Sequence, residues 1–293
     1  MSEKFVYRSH AKINLYLDIL NERPDGFTNI ETILQSISLC DQLTFQRQPS
    51  GISLTCDHPS LPVNEENLIY RAARLMREWA QSDFGVRIHA QKRVPIAAGL
   101  AGGSSNAAAT LLALNSLWEL QWPIERLQEL AQDLGSDVPF CTIGGTVAAT
   151  GRGEKLQSLP AIQETWFVLV HPPLAILARS VYHHERLSRN RETMIGGRTA
   201  SFRGAIASLE ENEIRPIVFN RMESAVFFDH PELNTMKLKL VEMGCSAAAM
   251  SGSGSTLFGL CESKEQAQTI AKRITGVPVS VVHSVPAGIE HVE

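Results

Sequence analysis

Hydrophobic and polar residues alternate near the start of the chain in the pattern of a half-buried β-strand. From Lys12 to Ile19, apolar side chains occupy every second position, which is the period of a strand. One face of this strand is therefore expected to lie in a core. The other face carries Lys12 and Asn14 side by side, roughly 7 Å apart at strand spacing, and is expected to be exposed. Further strands are predicted around residues 33–39, 42–45, 52–56 and 86–90.

Helical spacing of apolar residues begins further along the chain. It predicts a helix over 67–80, a long apolar helix over 106–117 and another that begins at Pro123, a favourable first-turn residue. Strands are predicted over 146–150 and 165–171, helices dominate 179–243, and a helix over 264–274 precedes a final strand over 279–285. This mixture indicates an α+β fold. Residues 188–204, rich in Arg, Gly and Ser, are expected to be a mobile loop or a surface insertion.

Composition narrows the class of protein. With 293 residues, 44% hydrophobic and 20% charged, the chain is typical of a soluble globular protein with one large or two medium domains. A net charge of −4 argues against a general nucleic-acid binder, which needs a basic surface. No signal peptide and no apolar run of about 18 residues is evident. The scattered cysteines and the nine histidines show no metal-ligand spacing, so we expect reduced thiols, structural histidines and a cytoplasmic protein with no membrane contact.

The segment from Val94 to Ala109 carries the strongest chemical signal. Gly99, Gly102 and Gly103 let the backbone approach a ligand closely. Ser104 and Ser105 follow at the expected N-cap of the long helix, and the free N–H groups of a helix start bind anions. The segment lacks the Gly-Lys-Ser/Thr of a P-loop and the G-x-G-x-x-G of a dinucleotide turn. An ordinary loop-to-helix cap is the alternative.

The same segment, from Pro95 to Ser105, resembles the phosphate loop of the GHMP kinases, a superfamily that includes galactokinase, homoserine kinase and mevalonate kinase. Four further motifs appear in the order found in the branch that acts on a diphosphocytidyl-linked polyol, and the resemblance covers about residues 8 to 275. These motifs are Ala11–Leu20, Arg23–Phe27, Gly135–Pro139 and Ala249–Gly259. The resemblance implies two domains: a ribosomal S5 domain 2-like unit over 1–160 and a ferredoxin-like unit over 161–293.

The resemblance also implies an activity, which is ATP-dependent phosphorylation of the 2-hydroxyl of a diphosphocytidyl methylerythritol in non-mevalonate isoprenoid precursor biosynthesis. Asp137 would take or orient the proton of the acceptor hydroxyl, and Lys12 would keep Asp137 ionised and stabilise the developing alkoxide. From the sequence alone, a helix-capping aspartate is the alternative for Asp137, and a solvated surface side chain is the alternative for Lys12. Ser104 or Ser105 could meet a Mg²⁺ ion, although no protein metal site is predicted.

Two sets of binding residues follow from the resemblance. Those for ATP are Pro95, Ile96, Ala97, Ala98, Gly99, Leu100, Ala101, Gly102, Gly103, Ser104 and Ser105. Those for the acceptor are Asn14, Phe27, Thr28, Tyr182, Ser251 and Gly252.

The chain departs from the family pattern in two places. The usual turn R-P-D-G-Y-H ends here in Phe27 and Thr28, and Ser255 stands where the family has proline. In the family the aromatic residue stacks on cytosine, with a second aromatic opposite that matches Tyr182 here, and the histidine contacts the edge of the base. Phe27 can still stack, whereas Thr28 is shorter.

Three other functions remain open. They are another small-molecule GHMP kinase, an ATP-dependent decarboxylase of the same fold, and a catalytically silent binding module. Under each of them the partner is a small molecule and the protein is a monomer or a homodimer.

Overall fold

The computed structural model describes residues 4–81 and 83–292. Residues 1–3, at which the sequence-based N-terminal domain begins, and residue 293, at which its C-terminal domain ends, lie outside the described part. The described strands are β1 (Lys4–Glu22), β2 (Thr28–Gln48), β3 (Ile52–Cys56), β4 (Gly85–Gln91), β5 (Thr146–Gly151), β6 (Lys155–Ser158), β7 (Trp166–Val170), β8 (Phe219–Asn220), β9 (Ala247–Met250), β10 (Leu257–Cys261), β11 (Val279–His283) and β12 (Ile289–His291).

Helices fill the intervals between these strands. A 3₁₀ turn spans Arg215–Ile217. The α-helices are α1 (Leu68–Ala80), α2 (Gly102–Leu117), α3 (Ile124–Leu134), α4 (Val138–Ile143), α5 (Ala178–Tyr182), α6 (Ala200–Glu210), α7 (Glu223–Asp229), α8 (Pro231–Glu242) and α9 (Lys264–Arg273). Across the described residues, no helix is both long and apolar enough to cross a bilayer.

Two sheets organise the chain. The larger has the order β12-β1-β2-β4-β3, with β5 and β6 continuing from β2, and β8 pairing in parallel with β1. The smaller is antiparallel, in the order β11-β7-β10-β9. The helices α1 to α4 cover one side of the larger sheet, while residues such as Ile13 and Ile33 on its other side pack against Phe167 and Phe258 of the smaller sheet. The helices α7, α8 and α9 pack with the far side of the smaller sheet. This arrangement confirms the predicted α+β class.

The strand β1 is longer and more deeply buried than its alternating pattern predicts. Every residue from Ala11 to Leu20 is buried, and both Lys12 and Asn14 are only 4% exposed. The expectation of an exposed polar face is therefore wrong. The polar face of β1 is covered because the glycine-rich loop lies against it: Lys12 Nζ on that face donates to Gly99 O at 3.0 Å.

The segment 188–204 is tied to the hairpin of β1 and β2. Asn190 donates from its backbone to Ile19 O at 2.7 Å and from its side chain to Asp18 at 2.7 Å. Thr199 donates its amide and hydroxyl to the buried carboxylate of Glu31, at 2.9 and 2.5 Å. Both carboxylates at these anchors, Asp18 and Glu31, are fully buried, while residues 191–197 are exposed, so the segment lies on the surface and is fastened at two points.

The end of the chain returns to the beginning. The strand β12 pairs with β1 through Tyr7, Arg8 and Ser9, although it comes last in the sequence. The division into 1–160 and 161–293 stays a prediction, because strands from beyond residue 160 complete the first sheet. The glycine-rich loop and the turn between β1 and β2 both line one cavity beside the larger sheet.

Candidate active site

The glycine-rich loop ends in a helix start that differs from the predicted one. The helix α2 begins at Gly102, and its N-cap is Ala101 in the left-handed region (φ 55°), with no side-chain capping hydrogen bond. Ser104 and Ser105 therefore lie inside the first turn, and their prediction as N-caps is wrong. Because the chain turns at the left-handed Ala101, the helix begins at Gly102, two residues before Ser104.

The glycines of this loop have different reasons to be glycine. A Cβ on Gly99, which has φ +76°, would stand 2.0 Å from Ser251 O, so this position requires glycine. A Cβ on Gly102 would meet Val94 Cγ1 at 2.8 Å. Gly103 is exposed, and a Cβ there would have Leu68 Cδ1 as its nearest neighbour at 3.6 Å. Gly103 thus leaves open space above the backbone at the positive end of α2, where an anion is favoured.

Two cavities meet at this loop. The larger, about 860 Å³, lies between the loop, the hairpin turn and α5, and the smaller, about 330 Å³, lies between the loop and the start of α1. Both are lined by Gly99, Ala101 and Ser104. A ligand in one cavity can therefore touch a ligand in the other across the first turn of α2.

Most of the predicted ATP-binding residues line the smaller cavity, and two do not. Leu100 and Ser105 are turned into the core, at 1% and 0% exposed. The Ser105 hydroxyl is buried beneath the loop, beyond the reach of a ligand in either cavity. The residues of this set that line the smaller cavity are Pro95, Ile96, Ala97, Ala98, Gly99, Ala101, Gly102, Gly103 and Ser104.

Lys12 is fixed at the floor of the larger cavity. Its Nζ donates to Asn14 Oδ1 at 2.7 Å and to Gly99 O at 3.0 Å. It also lies 3.9 Å from Asp137 Oδ2. Asn14 is held in turn because its Nδ2 donates to Thr32 Oγ1 at 2.9 Å. The ammonium group is thus desolvated and aimed at one place, rather than solvated as a surface lysine would be.

Asp137 stands at the N-cap of α4, with Pro139 in the first turn, and its side chain makes no capping hydrogen bond. The carboxylate is 43% exposed and lines the larger cavity with Lys12. The alternative of a helix-capping aspartate is wrong for the side chain, which leaves the carboxylate free to accept a proton from a ligand.

The turn between β1 and β2 forms one wall of the larger cavity. Arg23 binds both carboxylate oxygens of Asp25, and Asp25 Oδ1 accepts from the amide of Phe27 at 3.2 Å. Phe27 is 47% exposed, and Thr28 follows as the first residue of β2. Both line the cavity. The internal hydrogen bonds of the turn hold an aromatic ring out of the core, where a ligand can reach it.

The helix α5 forms the facing wall through Ala178, Arg179 and Tyr182. Burial, and secondarily the negative charge of Asp137, raise the pKa of the Tyr182 hydroxyl above its usual value. Tyr182 therefore stays neutral and presents a partly buried ring to the same cavity as Phe27. The structure thus brings these two aromatic residues into one site, as predicted.

The turn Ser251–Gly254 supports the glycine-rich loop. Ser251 is fully buried, and its hydroxyl donates to Gly99 O at 2.9 Å, so the structure does not place it on the cavity surface. Gly252 does line the cavity. A Cβ added to Gly252 would lie 3.3 Å from Lys12 Nζ. Ser255, which replaces the proline of the family, donates to Leu174 O at 2.6 Å and to Pro172 O at 3.1 Å. The Ser255 hydroxyl therefore fixes the turn through hydrogen bonds that the proline of the family could not make, because a proline side chain has no donor.

Sequence reasoning missed several charged and polar residues in the larger cavity. None of them belongs to a motif, and only the fold brings them together; they are Glu22, Arg152, Arg179, His183, His184 and Arg189. His183 and His184 were expected to be surface or core residues without a role. Among the described residues, no group of three His, Cys, Asp or Glu side chains is suited to hold a metal ion.

Comparisons with known proteins agree with this geometry. The model of the GHMP kinases N terminal domain matches residues 67–145, and that of the GHMP kinases C terminal matches residues 202–277. A curated relative from Synechococcus sp. (strain JA-3-3Ab), a 4-diphosphocytidyl-2-C-methyl-D-erythritol kinase, is 40% identical, covering 96% of this chain and 94% of its own. A kinase of the same name from Enterococcus faecalis is 38% identical, covering 93% and 95%. The chain belongs to the 4-diphosphocytidyl-2-C-methyl-D-erythritol kinase family of GHMP kinases.

Solved structures support the same family. A crystal structure of 4-(cytidine 5′-diphospho)-2C-methyl-D-erythritol kinase superposes with a TM-score of 0.81 at 33% identity, covering 97% of this chain and 99% of that one. A homoserine kinase from Cytophaga hutchinsonii has a TM-score of 0.78 at 18% identity, covering 100% and 98%, and shares the fold. As a GHMP kinase, the protein is an ATP-dependent small-molecule kinase, which confirms the predicted enzyme class.

Proposed function

We propose that this enzyme transfers the γ-phosphoryl group of ATP to the 2-hydroxyl of 4-diphosphocytidyl-2-C-methyl-D-erythritol, a step of non-mevalonate isoprenoid precursor biosynthesis. The observation that carries the proposal is the pair of cavities that share Gly99, Ala101 and Ser104. Phosphoryl transfer requires the donor phosphate and the acceptor hydroxyl to lie in line at one point. The shared wall between the cavities supplies that point.

ATP occupies the smaller cavity in this proposal. Its phosphates lie at the start of α2, where the free N–H groups of the first turn and the helix dipole favour negative charge. The γ-phosphate reaches past Ser104 into the larger cavity. Residues of the loop that line the smaller cavity then contact the nucleotide, while Leu100 and Ser105 support the loop from within the core.

Lys12 and Asp137 act on the acceptor hydroxyl. Asp137 accepts its proton while the acceptor oxygen bonds to phosphorus and the bond from phosphorus to the ADP oxygen breaks. The Lys12 ammonium stabilises the negative charge that develops on the acceptor and on the transferred group. Asn14 and Gly99 O hold this ammonium in place, at 2.7 and 3.0 Å.

A Mg²⁺ ion fits this site as a partner of the phosphates. Mg²⁺ prefers oxygen ligands and keeps several waters, so one hydroxyl and the phosphate oxygens suffice to hold it. Ser104, which lines both cavities, is the serine that would reach it; the buried Ser105 would not. When bound, the ion would neutralise charge on the phosphates.

The acceptor occupies the larger cavity, with its base between Phe27 and Tyr182. Thr28 and Gly252 line its edges, and Asn14 faces the reacting end. Ser251 contributes indirectly, because its hydroxyl fixes the carbonyl of Gly99. We propose that the enzyme acts in the cytoplasm, as a monomer or a homodimer, on this small molecule and without nucleic acid.

An ATP-consumption assay with a panel of acceptors tests this function. We expect turnover with the diphosphocytidyl substrate and one ADP formed for each phosphorylated product. Turnover with homoserine, mevalonate or galactose alone would point to another small-molecule GHMP kinase. Release of carbon dioxide and inorganic phosphate from a diphosphorylated acid would point to a decarboxylase, and ATP binding without turnover of any acceptor would point to a silent binding module.

A further inference from the structure

The charged residues that line the larger cavity do not balance one another. Lys12 lies 3.9 Å from Asp137, and Arg189 lies 3.8 Å from Glu22, so these four form two ion pairs. Two further arginines line the cavity, Arg152 and Arg179, and no carboxylate there remains to pair with them. This positive wall occurs in a chain whose net charge is −4.

Neither arginine is occupied elsewhere. The Arg152 Cζ lies 4.9 Å from the centroid of the exposed Phe27 ring. The hydrogen bond of Arg179 to His183 uses its backbone carbonyl, which accepts from His183 Nδ1 at 2.8 Å. In the described part of the chain, the guanidinium groups of these two residues make no hydrogen bond and no ion pair. Their ten N–H donors in total, five on each guanidinium, are thus available to a ligand.

The two arginines come from separate elements of the cavity wall. Arg152 lies at the end of β5, in the turn to β6, beside Gly153. Arg179 is the second residue of α5 and lines the cavity with Tyr182, one helical turn further on. A ligand group that lies beside the Phe27 and Tyr182 rings can therefore be contacted by two cations, one from the β5–β6 turn and one from α5.

We infer that Arg152 and Arg179 bind the diphosphate group of the acceptor and make the cavity specific for diphosphate-linked substrates. This inference rests on the proposed function. A diphosphate that bridges two alcohols carries two negative charges, which matches the two unpaired cations. Guanidinium groups bind phosphate oxygens through paired, charge-assisted hydrogen bonds, and in a partly enclosed cavity these select strongly against an uncharged analogue.

The position of Arg152 over Phe27 adds a second function. A cation over an aromatic ring is attracted to the face of that ring. Phe27 is exposed despite this contact, so ring surface is still available to a base. Arg152 is thus placed where it can contact the ring and a phosphate attached to the stacked nucleoside.

Binding of cytidine 5′-diphosphate and of cytidine, each measured by calorimetry, tests the inference on the full enzyme. Arg152→Gln and Arg179→Gln should each weaken cytidine 5′-diphosphate by about tenfold, the scale of one charge-assisted hydrogen bond at a partly exposed site, and leave cytidine unchanged. In turnover assays the same variants should raise the KM for the acceptor and leave kcat unchanged. Higher salt should weaken cytidine 5′-diphosphate binding to the wild type more than to the double variant.

Arg186→Gln is the matched control. Arg186 also lies over an exposed phenylalanine, with its Cζ 4.7 Å from the Phe228 ring, but it does not line the cavity. This variant should bind both ligands as the wild type does.

The outcomes separate this inference from the proposed function. Turnover of the diphosphocytidyl substrate with an unchanged preference for cytidine 5′-diphosphate over cytidine would overturn only the inference. Equal weakening of both ligands would also overturn it, because it would indicate a distorted cavity. If one variant alone loses the preference, the assignment of the other arginine is overturned. Absence of turnover and of cytidine binding in the wild type would overturn the proposed function and the inference with it.

Discussion

Lys12 Nζ and Asp137 Oδ2 lie 3.9 Å apart in the larger cavity, at the point where the glycine-rich loop separates it from the smaller one. The lysine side chain is 5% exposed and the aspartate side chain 43% exposed. A solvent-facing carboxylate beside a buried and oriented ammonium group is suited to accept a proton from a bound hydroxyl and to release it to solvent. This asymmetry leads to the first prediction.

Asp137→Asn should lower kcat by at least about a hundredfold, the usual scale for a positioned general base. Its free energy of unfolding should change little, because the Asp137 side chain makes no capping hydrogen bond to α4. Steady-state kinetics and urea unfolding measure the two effects. Lys12→Met should lower kcat through the same step, and the double variant should be little worse than either single variant if the two groups act as one unit. Near-normal turnover of a folded Asp137→Asn enzyme would remove Asp137 from the mechanism.

The second prediction concerns the open space above Gly103. Gly103→Val should raise the KM for ATP more than the KM for the acceptor, because the branched side chain enters the space where phosphate approaches the start of α2. The Leu68 Cδ1 atom at 3.6 Å leaves room for the new side chain, so the fold should persist.

Gly204→Val is the control for this substitution, since Gly204 is also an exposed helical glycine, with no atom within 4 Å of an added Cβ. It should leave both KM values unchanged. An equal rise of both KM values in Gly103→Val would argue for a general distortion of the site.

The sequence predicted the chemistry of this site better than its physical setting. The order of the motifs identifies the loop, the lysine and the aspartate, because each motif is a contiguous run of residues. Periodicity cannot show that the polar face of β1 is covered, since Gly99, which accepts from Lys12 Nζ on that face, is distant in sequence. Arg152 and Arg179 were missed for the same reason: each lies in a short turn or helix, and only the packing of α5 beside the hairpin brings them to one cavity.

Element boundaries show a similar limit. The helix α2 begins at Gly102, ahead of the predicted start at residue 106, because Ala101 adopts the left-handed conformation that normally favours glycine. No sequence rule assigns that conformation to alanine.

The third prediction concerns acid stability. His171 is 7% exposed between Thr256 Oγ1 and Ser280 Oγ, and burial lowers its pKa from 6.5 to about 4. The folded protein therefore binds a proton less readily than the unfolded chain. The corresponding stability is present above pH 6.5 and is lost as the pH falls from 6.5 to about 4, with a total of about 3.5 kcal/mol at ~1.4 kcal/mol per pKa unit.

Urea unfolding at a series of pH values checks this. His171→Gln should flatten the decline of the unfolding free energy between pH 6.5 and pH 4, whatever its offset at neutral pH. His183→Gln, which alters an exposed histidine, should keep the wild-type slope. The same slope in wild type and His171→Gln would show that other groups govern acid unfolding.

The last prediction concerns the position at which this chain leaves the family pattern. Thr28 stands where the family has a histidine, which the resemblance places at the edge of the cytosine. Thr28 lines the larger cavity next to Phe27, at the start of β2, and its side chain is shorter than histidine. We expect cytosine to be bound nonetheless, with backbone groups of the turn carrying more of its recognition. Thr28→His should then strengthen the binding free energy of the acceptor by about 1 kcal/mol at most, the value of one added neutral hydrogen bond. Thr28→Phe is the control, because it adds a ring of similar size that has no polar edge. The acceptor Kd of the wild type and of both variants then separates the effect of the hydrogen bond from that of added contact area. An equal gain in both variants would assign the effect to contact area, and failure of all three to bind the diphosphocytidyl substrate, with another polyol phosphorylated, would leave only a GHMP kinase of different specificity.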